Sequence, residues 1–158
     1  QIFLDTDLFY KGVRPALDIG VSVSRVGGAA QMKAMKKVAG KLKLDLAQFR
    51  ELEAFAQFAS DLDDRTKEQI SKGQRLTELL KQPQYAPVLA ELQVAVIYAA
   101  NNGHLNDVPL DKIVEWEQQF SEYMQASQRE VLDKILAGWD EETEKALETA
   151  IKDFGFSE

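Results

Sequence analysis

The sequence contains no cysteine, which removes disulfides, thiolate metal sites and cysteine nucleophiles. It has one histidine, His104, in an Asn-Asn-Gly-His turn. Without the partners of a hydrolytic triad or a metal site, His104 reads as a solvated surface residue. No G-x-x-x-x-G-K-[ST] or G-x-G-x-x-G stretch occurs, so the sequence carries no phosphate cradle of its own. Charge interrupts its longest apolar runs every few residues, so no transmembrane helix is encoded. No basic leader is visible, because the first residues carry Asp5 and Asp7. The acidic group at 61–64 lacks the glycine and distal glutamate of a calcium loop, so helix capping is the better reading and no metal site is expected. A net charge of −7 argues against non-specific binding to nucleic acid or anionic lipid, without forbidding one local contact with a phosphate.

What is present fits one compact domain, or one domain plus a remnant, in 158 residues of which 45% are hydrophobic. Residues 1–30 are rich in β-branched and aromatic residues and in glycine. Ile19, Val21 and Val23 alternate with Gly20, Ser22 and Ser24, the period of a strand. Strands this short need neighbours, so residues 1–30 read as the incomplete, β-rich edge of another domain. The opening on Gln1 rather than Met fits a piece of a longer protein.

From about Ala29 onward the period is helical. Leu42, Leu46, Phe49, Leu52, Ala56 and Ala59 share one face, with Gly40 splitting the stretch before them. A further helix runs toward Leu80 and is weakened at Gly73. Pro83 and Pro87 bracket a loop holding Gln82, Gln84 and Tyr85. Residues 88–100 form a helix with Leu89, Leu92, Val96 and Ala99 inward, closed by Asn101-Asn102-Gly103. Pro109 opens a helix carrying Ile113, Trp116, Phe120, Met124, Ser127, Val131 and Ile135, which Gly138 stops. Asp140-Glu141-Glu142 begins the last helix, with Ala146, Leu147, Ala150, Ile151 and Phe154 inward. The expected fold is mainly α: a C-terminal helical bundle domain at 31–158, preceded by the short β-containing remnant at 1–30.

Arg25 is one of 19 basic residues, and solvent exposure is its default reading. Its place is suggestive, though: past an expected strand, before Gly27-Gly28 and a helix start, where a guanidinium can reach a partner. The run Gly20-Val21-Ser22-Val23-Ser24-Arg25-Val26-Gly27-Gly28-Ala29-Ala30-Gln31 resembles, nearly residue for residue, the arginine-finger segment of the non-catalytic alpha subunits of F-type ATP synthases. Leu8-Phe9-Tyr10-Lys11-Gly12-Val13-Arg14-Pro15-Ala16, Glu53-Ala54-Phe55-Ala56-Gln57-Phe58-Ala59-Ser60-Asp61-Leu62-Asp63 and Arg75-Leu76-Thr77-Glu78-Leu79-Leu80-Lys81-Gln82 are similar to the family as well. So is Glu91-Leu92-Gln93-Val94-Ala95-Val96-Ile97-Tyr98. The specific likeness reaches about residue 105, with a compatible helical tail beyond. Asp18 and Pro83 depart from the commoner family choices.

The resemblance implies a regulatory alpha subunit that supports ATP synthesis coupled to proton transport. It implies that Arg25 acts in trans on a neighbouring beta subunit. It also places Arg14, Pro15, Gln82 and Gln84 on the adenine side of a non-catalytic nucleotide site, with ATP or ADP and magnesium in the intact subunit. The implied partners are the beta subunits of an alternating hexamer, the central rotor shaft (touched by the Asp61–Asp63 turn) and the peripheral stalk. No nucleic acid is implied, and the membrane only indirectly. The expected location is the soluble side of an energy-coupling membrane, on the cytoplasmic face in a bacterium. By itself the chain is expected to catalyse nothing and to hold no cofactor, since the family's phosphate loop would lie before Gln1. The alternatives are a stand-alone helical interaction module and the corresponding subunit of a vacuolar or archaeal rotary ATPase.

Overall fold

The computed structural model describes residues 1–56 and 62–156. Nine α-helices occur among them: α1 Thr6–Tyr10, α2 Arg25–Ala30, α3 Lys33–Ala39, α4 Leu42–Ala56, α5 Asp64–Leu79, α6 Ala90–Asn101, α7 Ile113–Ser127, α8 Arg129–Ala137 and α9 Glu141–Asp153. A short 3-10 turn, Leu110–Lys112, leads into α7. The protein is therefore mainly helical, as expected. Ala59 and Asp61, expected on the α4 face and in the rotor-facing turn, lie outside the described residues.

Helix α6 is central and touches α3, α5, α7, α8 and α9. The spacing predicts one inward face, but Leu92, Val94, Ala95, Val96, Tyr98, Ala99 and Ala100 are all buried. A helix apolar on most sides can be satisfied only by neighbours on most sides. Leu89, expected inward, is exposed, because the helix starts after it at Ala90. The Asn101-Asn102-Gly103 stop holds. Gly103 has a φ of +79°, its N–H donates to the Ala100 carbonyl, and that of His104 donates to the Ala99 carbonyl. This is the Schellman pairing, which satisfies carbonyls the helix leaves open.

The following loop is pinned from α5. Arg75 donates through Nε to the Leu105 carbonyl at 2.8 Å and through Nη2 to the carbonyls of Asn106 and Val108 at 2.9 and 3.1 Å. Asp63 caps α5 through the Thr66 N–H, and Asp140 caps α9 through the Thr143 N–H, as their acidic positions imply.

Two expectations for the secondary structure are corrected. The single helix expected from Pro109 to Gly138 is two. Gln128, at φ −125° and ψ 33°, leaves the helical region. Its N–H closes α7 on the Met124 carbonyl, while its own carbonyl receives the N–H groups of Val131 and Leu132 to open α8. The break lets α8 turn onto α6 and α7 and buries Val131, Leu132 and Ile135, whereas Ser127 stays exposed.

Residues 19–24 form no strand. The β content of residues 1–30 is one antiparallel bridge, Leu4 to Leu17. Val23 instead exchanges hydrogen bonds with Gln1, and Val21 and Val23 remain exposed. Alternating apolar residues stabilise a strand only when neighbouring strands and a second layer receive them, and none is present among the described residues.

At Gly73, the weak point expected in the helix toward Leu80, the structure adds a reason for the glycine. Helix α5 runs through it without interruption, and Gly73 is buried. A Cβ there would collide with the Phe49 ring of α4, so the glycine sets how closely α4 and α5 approach. Gly73→Ala gains helix propensity of about 1 kcal/mol but overpacks the contact, which costs about 1–3 kcal/mol. The expected outcome in urea unfolding is a net loss of stability, and a gain would refute the contact.

Candidate functional site

Arg25 is the first residue of α2, and the surrounding motif has a local physical purpose. Ser24 caps the helix: its Oγ accepts from the Gly27 N–H at 3.0 Å. A Cβ at position 27 would lie 2.6 Å from that Oγ, so glycine at 27 makes room for the cap. Cap and glycine together start a helix immediately at Arg25. The Arg25 side chain is exposed and has no hydrogen bond or ion pair among the described residues. It is outside the cleft described next.

Arg14, Pro15, Gln82 and Gln84 come together, although 66 residues of sequence lie between the two pairs' nearest members, Pro15 and Gln82. They line one open cleft of about 850 Å³, with Leu4, Phe9 and Val114 as apolar wall. The Arg14 guanidinium lies over the Phe9 ring, 4.5 Å from its centroid, a cation–π arrangement that keeps its plane on the cleft wall. The Arg14 carbonyl accepts from the Gln82 N–H at 2.8 Å, tying the two loops together. Gln82 spends its Nε2 on the Ala86 carbonyl at 2.6 Å, so its remaining acceptor is Oε1. The Gln84 side chain is exposed and makes no hydrogen bond among the described residues. The peptide between Arg14 and Pro15 is cis. Flat apolar and guanidinium surfaces beside free amide groups can hold a planar heteroaromatic base by stacking and edge hydrogen bonds.

Asp18 anchors residues 1–30 to the bundle. It accepts from Arg50 Nη1 of α4 at 2.8 Å, and that hydrogen bond holds its carboxyl below the usual carboxylate range. His104, expected on the surface, is half-buried in the turn closing α6. No group of three metal-ligating side chains occurs among the described residues, and no helix there is long and apolar enough to cross a membrane.

One titratable residue was not legible in the sequence. Glu117 of α7 is half-buried beside a second groove, and burial alone pushes its carboxyl up to about 7. A raised acid pKa means the folded state binds the proton more tightly, so stability falls as pH rises from about 4.5 through 7. Glu117→Gln is expected to be near neutral below pH 4.5 and to stabilise the protein by about 1 kcal/mol above pH 7, after discounting for partial exposure. Denaturant midpoints at both pH values test this.

The family described as ATP synthase alpha/beta chain, C terminal domain, matches residues 31–154. The sequence is 58% identical over 156 residues to "ATP synthase subunit alpha" of Petrotoga mobilis. It is 54% identical over 154 residues to the proteins of that name from Lactococcus lactis subsp. lactis and subsp. cremoris. These alignments cover 98% of this chain and 31% of each relative. An alignment of 156 residues includes the tail, so the similarity continues past residue 105.

Proposed function

The protein belongs to the family of C-terminal domains of ATP synthase alpha and beta subunits, and from that premise we propose that it serves as the C-terminal part of a non-catalytic, regulatory alpha subunit. It spans about a third of the length of the subunit alpha relatives, so the activity of the whole assembly is part of the proposal. In this reading residues 1–30 belong to the edge of the nucleotide-binding domain and residues 31–158 form the helical domain. Arg25 reaches across a subunit boundary to the phosphates held by a beta subunit. Arg14, Pro15, Gln82 and Gln84 face the adenine and ribose of a nucleotide that is bound and not turned over, with magnesium at its phosphates. The subunit packs among beta subunits around a rotor shaft, meets a peripheral stalk, and touches the membrane only through the complex. That complex lies on the soluble side of the membrane and couples ATP synthesis to proton flow.

The observation that carries this reading is Arg25: exposed, without a polar partner among the described residues, and started into solvent by a cap and a glycine that fit the surrounding motif. The test is a chimaera in which these 158 residues replace the matching third of the Petrotoga mobilis subunit alpha. Assembly with beta subunits and retained ATP turnover are expected. A chimaera that folds but does not assemble would overturn the proposal.

A further inference from the structure

We propose that the groove between α6, α7 and the turn after α5 binds a small hydrophobic ammonium ion, with Glu117 as its counter-ion. The groove encloses about 410 Å³, within the range of clefts that hold small organic ligands. Its wall is apolar, built from side chains such as Leu80, Pro83, Val88, Leu92, Val96 and Val114. Leu92 and Val96 also belong to the core of the protein, so the inner wall is fixed by packing.

Glu117 is the group that decides the ligand's charge. It lines the groove and has no hydrogen bond or ion pair among the described residues. A carboxylate removed from water without compensation is costly, and its raised proton affinity is the sign of that cost. A cation arriving with an apolar body restores the missing partner and covers the apolar wall in one step. The remaining charges around the groove leave this vacancy open. Lys81, from the turn after α5, is the other charged residue of the lining, and its ammonium is held by Glu78 Oε1 at 2.6 Å. Helix α6 contributes Gln93 and no charge, and α7 contributes Gln118, Ser121 and Gln125 besides Glu117. An anionic ligand would meet Glu117 unfavourably, and a neutral one would leave it unpaired.

The test uses octylammonium as probe, with octanol of the same carbon number as the neutral control. Both are titrated into the ¹⁵N-labelled protein at about pH 8.5, where Glu117 is ionised and the probe remains protonated. Octylammonium is expected to bind at least about tenfold more tightly than octanol, the margin of one charge-assisted contact. Shifts should centre on Val88, Gln93 and Gln118 rather than on Arg14 and Gln84. Glu117→Gln should remove the preference and leave octanol binding unchanged, with its spectrum reporting that the fold is intact. Equal affinity for the two probes in the parent protein, a preference that survives Glu117→Gln, or shifts centred on the Arg14 cleft would each overturn the proposal.

Discussion

Arg25→Ala, placed in an assembled alpha/beta enzyme carrying this sequence, is expected to lower multi-site ATP turnover by about 10³–10⁵-fold, the range an arginine finger supplies in phosphoryl transfer. The structure makes this a clean measurement. Arg25 is exposed and contacts no polar partner among the described residues, so its truncation should change folding stability by less than about 0.5 kcal/mol. The Ser24 cap and the Gly27 contact that start α2 use backbone and hydroxyl groups that the substitution leaves in place. Assembly and the thermal midpoint should therefore be those of the parent. Arg25→Lys should not restore the rate, because a compact ammonium lacks the planar fork that spreads charge over several phosphoryl oxygens. A near-normal turnover in either variant, at unchanged assembly, would remove the assignment of Arg25.

How much of this was legible in the sequence depends on the range of the forces involved. The cap from the acidic group at 61–64, the helix start at Asp140 and the stop at Gly103 were readable because each is settled within a few residues. Arg25 is singled out by a resemblance and by its position, and the structure adds the reason Ser24 and Gly27 stand near it. The four cleft residues were connected through the resemblance; periodicity has no means of joining Arg14 to Gln82. Their meeting rests on one backbone hydrogen bond between distant loops, from the Gln82 N–H to the Arg14 carbonyl.

The errors have the same origin. Val21 and Val23 alternate like a strand, but a strand is decided by its neighbours, and none is supplied there among the described residues. Gly73 is a weak point by propensity, as expected, and its contact with Phe49, which propensity cannot show, is why glycine stands there. The break at Gln128 left the three-and-four spacing intact on both sides, so the pattern alone could not reveal it. Glu117 carries no local signal, because its place along an apolar groove is decided by how α7 packs.

Phe120→Ala is expected to be the most damaging substitution in the bundle, at about 3–5 kcal/mol. The ring is fully buried and has two aromatic neighbours from different helical turns. It stacks on Trp116 at 4.7 Å between centroids and meets Phe154 edge-on at 5.3 Å. Phe154 ends α9 and also contacts Trp116 at 5.8 Å and Tyr123 at 5.3 Å. The cluster thus fastens the end of α9 to the inner face of α7. Removing Phe120 opens a cavity and takes away both ring contacts, each worth about 0.5–1.5 kcal/mol beyond area burial.

Against a total stability of about 5–15 kcal/mol, that is a large share. At about 2–4 °C per kcal/mol for a protein of this size, the thermal midpoint should fall by roughly ten degrees or more. Phe154→Ala should cost less, because its side chain is half-buried. The double mutant should cost less than the sum of the two, since both single changes break the same ring contact. Strict additivity would mean that the two rings stabilise their helices independently, and a Phe120→Ala loss below about 1 kcal/mol would mean that the Phe120 ring does not fasten α9 to α7.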